Sequence, residues 1–182
     1  MKNNTSRRTF LKNTLLVTGG AALASSPLYA LSDLECPYDG YNPFADQKTD
    51  LRKSNFLGEH VTVKGTVYDS SGNLPVSGAT LEVWHLSPNS KKYRHRGKVV
   101  TNNIGQYQFT TDFPNNVKGK IARIYFKVNY GADSYFTDLA ITKFQAYVSD
   151  SHWVKNNQLG TKIFPSKKTF LNHSTISFNL SI

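Results

Sequence analysis

Residues 119–128 read "GKIARIYFKV". Ala122, Ile124, Phe126 and Val128 alternate with Arg123, Tyr125 and Lys127. That two-residue period is the signature of a β-strand with one apolar face. The apolar face asks for a core. The opposite face carries an arginine, a tyrosine and a lysine, and their role there is the question the sequence poses.

The same alternation continues on both sides. "VTVKGTVYD" (61–69) sets Val61, Val63, Gly65 and Val67 against Thr62, Lys64, Thr66 and Tyr68. "SSGNLPVSG" (70–78) is turn chemistry. "ATLEVWH" (79–85) alternates again. "KVVT" and "QYQFTT" flank a turn at residues 102–105, the pattern of a hairpin. "LAITKFQAYV" (139–148) follows, and "TISFNLSI" (175–182) places Ile176, Phe178, Leu180 and Ile182 on one face. No stretch has a helical period apart from the N-terminal segment, and there is no internal repeat or low-complexity run. Seven to nine short strands separated by turn signals predict an all-β, prealbumin-like β-sandwich. Such sandwiches serve many functions, so the pattern alone assigns none.

The chain has 182 residues. Paired arginines, Arg7 and Arg8, precede a weakly apolar, Ala- and Gly-rich run at residues 15–28 that is too short for a membrane span. The run ends in "LYA", a cleavage site after Ala30. This order resembles a twin-arginine export signal, which implies a periplasmic or extracellular protein. The expected organisation is a cleaved signal helix (1–30), a polar lead-in (31–58) and a sandwich domain (59–182) with a real core. No integral membrane segment is expected after cleavage. The single cysteine, Cys36, has no intramolecular partner and lacks the small residues that precede a lipidated cysteine. Lys and Arg number 22 against 12 Asp and Glu, and Lys2, Arg7, Arg8 and Lys12 leave with the signal. The remaining excess favours solubility and weak attraction to anions. Nothing resembles a recognition helix or a basic run with stacking aromatics, so nucleic acid is not an expected partner.

"ECPYDGYNPF…DLRKS", "LPVSGATLEVWHLSPNSKKYRHR" and "GQYQFTTDFPNNVKGKIARIYFKV" together resemble the intradiol ring-cleavage dioxygenases, the family of catechol and protocatechuate dioxygenases, in its exported branch. The likeness runs over residues 36–150. Members of that family bind Fe(III) through two tyrosines and two histidines and open a chelated catechol with oxygen. Phenolates stabilise Fe(III), and neutral imidazoles complete the site. Here the two tyrosine positions fall on Tyr93 and Val117, and the histidine pair falls on Arg123 and Tyr125. A position that helps bind substrate falls on Lys120. Valine has no donor atom, and arginine neither deprotonates nor offers a lone pair. One ligand of four survives in kind.

The resemblance therefore implies an exported dioxygenase-like protein with a degenerate ferric site. The leading expectation is a non-catalytic binding module without a cofactor, for a small anionic or aromatic ligand or a protein partner. An active Fe(III) dioxygenase with an altered ligand set is the alternative, and a structural or adhesive cell-surface sandwich is the second. His85 and His95 are candidate substitute ligands beside Tyr93 and Tyr125. Arg94, Lys120 and Arg123 are candidate anion-binding residues. His60, His152 and His173 lack ligand spacing and are expected at the surface or in caps. Trp84 and Trp153 are expected to pack. No nucleophile elbow supports a hydrolase.

Overall fold

The structure is a computed structural model, and it describes residues 36–54 and 57–182. The signal expectation, with Arg7, Arg8 and Ala30, lies outside the described residues. Among the described residues ten strands form two five-stranded sheets, one to three more than the expected seven to nine. The surplus is short: a three-residue and a two-residue strand, whose periodicity no sequence window resolves.

The first sheet is built around β1 (His60–Tyr68). It pairs antiparallel with β4 (Gln106–Asp112) on one side. On the other side it runs parallel to β9 (His173–Ser177) and then β10 (Leu180–Ser181). β8 (Ser166–Phe170) closes that edge against β9. The second sheet has the order β3 (His95–Val100), β2 (Thr80–His85), β5 (Ala122–Tyr130), β6 (Asp133–Ile141), β7 (Ala146–Val148).

The core lies between the sheets. Val61, Val63, Val67 and Phe109 from the first meet Leu81, Val83, Ile124, Phe126, Val128 and Leu139 from the second. Phe126 stacks between Phe109, at 6.1 Å, and Phe178, at 5.3 Å. All three rings are fully buried, each worth roughly 1.5–3 kcal/mol of transfer free energy. The inward set predicted for β5 and for the C-terminal segment is the observed one. At Gly65 the sheet is so tight that a Cβ would lie 1.8 Å from the Phe178 carbonyl oxygen, so no side chain fits there.

A helix, α1 (Asp150–Asn156), was not expected from the sequence. The Ser149 hydroxyl accepts the His152 amide at 3.2 Å and caps it. It is under two turns long and buries only His152 and Asn156, an i,i+4 pair too short to register as a helical period. A 3₁₀ stretch, Asn157–Ile163, follows. Among the described residues no helix is long and apolar enough to cross a membrane.

Candidate functional site: a tyrosine-walled cavity with a paired arginine

β5 carries the site on its outer face. Because β2, β5 and β6 pair in register, Trp84, Tyr125 and Asp138 lie side by side across the sheet. Arg123 stands two residues along from Tyr125 on the same face. The segment before Leu51 lies over this face. Tyr38 stacks on Tyr125 with centroids 4.7 Å apart, and Tyr41 packs on Trp84 at 5.1 Å. The Trp84 indole N–H donates to the Asp39 carbonyl at 3.0 Å, and the Tyr41 hydroxyl donates to Glu82 at 3.0 Å. Gly40 makes this approach possible. Its φ is +79°, and a Cβ there would sit 2.2 Å from the Tyr93 ring.

Where this segment meets the loops after β2 and β4, a cavity of about 400 Å3 opens. Tyr93, Val117, Lys120, Arg123 and Tyr125 all line it, so these five sequence-predicted positions do converge. Pro37, Tyr38, Asp39, Leu86, Asn115 and Ile121 complete the wall. The Tyr93 and Tyr125 rings lie 6.4 Å apart.

The Arg123 guanidinium donates to Asp138 Oδ2 and forms an ion pair with it. Asp138 is almost fully buried, whereas the arginine side chain keeps 36% of its exposure. The other oxygen of Asp138 accepts the Tyr38 hydroxyl at 3.0 Å and the Ser151 hydroxyl at 3.4 Å. Both oxygens of the carboxylate thus have donors, and it fixes the arginine in the wall. Burial pushes the Tyr38 and Tyr125 phenols up to about 12, and burial also raises Tyr93, helped by the Asp39 charge. All three rings keep their protons at neutral pH.

Arg94 does not join this group. It is exposed and lines a different, smaller cavity beside His95 and Asp112. His85 and His95 do not join it either. They pair across β2 and β3 on the inner side, with rings stacked at 4.8 Å. Trp84, Arg96 and Tyr125 point to the other side of the same sheet. His85 also shares the parity of Leu81 and Val83, which places it inward. It is fully buried between the Leu86 carbonyl and the Thr111 hydroxyl, and burial drops its pKa to about 3. The substitute ligand set of His85, His95, Tyr93 and Tyr125 is therefore not brought together.

Other expectations are corrected as well. His60 is buried and bonded to Asp112 at 3.1 Å, and His152 is fully buried against Phe178. His60 has the outward parity of Thr62 but is buried at its bond to Asp112, and His152 lies on the short helix that the sequence does not signal. His173 is half-buried and bonded to Thr62. Trp84 packs as expected, whereas Trp153 is 46% exposed beside Phe164.

Sequence reasoning missed Tyr38 and Asp138. They are 100 residues apart and meet only through the fold. A signal was present for Asp138: it is an acid in the last apolar half of the strand "DSYFTDLAI".

Among the described residues no three His, Cys, Asp or Glu side chains converge as a metal site. At the four positions where the resemblance would put ferric ligands stand two tyrosines, a valine and an arginine, so half of the positions offer no lone pair. That is not a donor set for a hard trivalent cation, and the arginine's charge opposes one.

No family model matches this sequence, and no curated protein matches it either. Solved structures do resemble it. The dioxygenase domain of a dioxygenase–carbohydrate-binding fusion from Streptomyces sp. SirexAA-E is 19% identical, with TM-score 0.61, over 82% of this chain and 94% of that one. An intradiol ring-cleavage dioxygenase from Tetranychus urticae is 16% identical, with TM-score 0.59, over 80% and 90%. The 3-chlorocatechol 1,2-dioxygenase of Rhodococcus opacus 1CP is 15% identical, with TM-score 0.55, over 81% and 70%. At these identities the likeness is one of fold, and the chain folds as the intradiol ring-cleavage dioxygenases do.

Proposed function

We propose that this protein is a dioxygenase-fold binding module that takes a small aromatic carboxylate in the Tyr38–Tyr93–Tyr125 cavity and does not cleave rings. The observation that carries the reading is Arg123, set among three neutral tyrosine rings and anchored from behind by Asp138. Asp138 engages the guanidinium through one nitrogen. The rest of the planar fork is suited to a carboxylate, and Lys120 adds a second positive charge at the rim. The ring faces suit the aromatic body of the ligand. About 400 Å3 is within the range of small-molecule sites and matches a single-ring ligand.

Titration calorimetry with benzoate and with cyclohexanol tests this reading. Benzoate is expected to bind with a dissociation constant on the order of 10–100 μM, equivalent to about 5–7 kcal/mol. Arg123→Met is expected to weaken it at least tenfold, and cyclohexanol, which lacks both charge and ring face, is expected not to bind. Equal binding of benzoate to the native and Arg123→Met proteins would overturn the assignment.

A further inference from the structure

Ser87 follows β2, His95 opens β3 and Asp112 closes β4, and the three side chains meet outside the tyrosine cavity. Ser87 Oγ lies 2.8 Å from His95 Nδ1, and His95 Nε2 lies 2.7 Å from Asp112 Oδ2. The Lys53 amide donates to the same carboxylate oxygen at 3.0 Å, and His60 Nδ1 lies 3.1 Å from the other. An ionised carboxylate only accepts, so His95 carries its proton on Nε2. Its Nδ1 lone pair then faces the serine, whose hydroxyl hydrogen points at a base. The stacked ring of His85 holds the imidazole plane, and the Arg94 amide donates to Ser87 Oγ at 3.0 Å and fixes that oxygen.

A network that only tied a loop to two strands would need no opening. This one lines a cavity of about 210 Å3, although Ser87, His95 and Asp112 are 4%, 2% and 8% exposed. Lys53 and Arg94 line it too and bring positive charge beside it.

We propose that Ser87, His95 and Asp112 form a second site, a serine-nucleophile centre that hydrolyses esters of small carboxylic acids. Ser87 Oγ adds to the ester carbonyl carbon while its proton passes to His95 Nδ1. Asp112 holds the imidazolium by its Nε2–H bond. The tetrahedral adduct collapses, the C–O bond to the leaving group breaks, and the departing alkoxide takes the proton from His95 as an alcohol. Water then adds to the acyl carbon and gives its proton to His95. Collapse returns that proton to Ser87 and releases the carboxylic acid. A cavity of this size covers a short acyl group more completely than a long one. The site is independent of the proposed aromatic-carboxylate cavity, whose residues it does not share.

The purified protein would be treated with an alkyl fluorophosphonate and mapped by peptide mass spectrometry, and its hydrolysis of p-nitrophenyl acetate and laurate would be followed. A covalent adduct on Ser87 is expected. Acetate hydrolysis should fall about 100-fold or more in Ser87→Ala, and acetate should be cleaved at least tenfold faster than laurate. Circular dichroism establishes whether the variant is folded, and the adduct map on the native protein decides the matter if it is not. An unmodified Ser87 with label elsewhere, or a native rate no higher than that of folded Ser87→Ala, overturns the proposal.

Discussion

The two faces of β5 answer to different physics. Inward, Ala122, Ile124, Phe126 and Val128 fill a space bounded on all sides by other buried side chains, so volume and apolarity fix them. Outward, Arg123 and Tyr125 face a cavity: Asp138 pairs with Arg123, and Tyr38 stacks on Tyr125 while donating its hydroxyl to Asp138. A face held by packing keeps the fold. A face held by a few polar partners can exchange its chemistry while the strand stays in register. That difference explains how a dioxygenase fold comes to carry an arginine where the resemblance leads one to expect a metal ligand.

The comparison breaks most visibly at Phe126. Truncation to alanine removes the ring between Phe109 and Phe178 and is expected to cost about 3–5 kcal/mol in urea unfolding. A loss below about 1 kcal/mol would mean that the inner face is not the structural one.

Acid comes next, because the core also holds two histidines that must stay neutral. Burial lowers His152 to about 4 and His85 to about 3, against 6.5 for an unperturbed histidine. As pH falls below 6.5 the unfolded chain takes up protons that the folded chain refuses, so stability declines. The fall should continue to about pH 4 for His152 and about pH 3 for His85. A loss on the order of 3 kcal/mol from each ring between pH 7 and pH 4 is expected in denaturant titrations. His152→Gln should flatten part of that slope. A stability that rises on acidification over this window would contradict the burial of both rings.

A smaller effect is expected on the outer face. Asp138→Asn keeps the shape but removes the charge that anchors Arg123. Breaking a fully buried ion pair costs about 3–5 kcal/mol. Here water still screens the partly exposed guanidinium, so about 1–2 kcal/mol is expected in the same unfolding assay. A loss as large as that of Phe126→Ala would make the outer face structural and end the distinction between the two.

Period-two alternation made the fold legible, since it fixed which residues of β1, β2, β5 and the C-terminal segment point inward. The site was legible in part. Val117, Lys120, Arg123 and Tyr125 came together because a gapless stretch of sequence links the loop before β5 to that strand, and Tyr93 joins them from the loop between β2 and β3. His85 and His95 went to the other side of the sheet, as the parity of Leu81 and Val83 already required of His85. Asp138 left a trace as an acid in an apolar stretch, but its meeting with Tyr38 depends on residues 36–50 lying over the sheet, which no local pattern encodes. The helix at residues 150–156 escaped because one capping serine and one buried i,i+4 pair leave too weak a period.

The proposal to be tested is an arginine-centred anion site on the outer face of β5, at the positions where the resemblance implies metal ligands. The most direct test is the metal content and visible absorption of the protein folded in iron-rich medium. A colourless protein with far less than one iron per chain is the predicted result. Stoichiometric iron with a tyrosinate-to-Fe(III) charge-transfer band would contradict it.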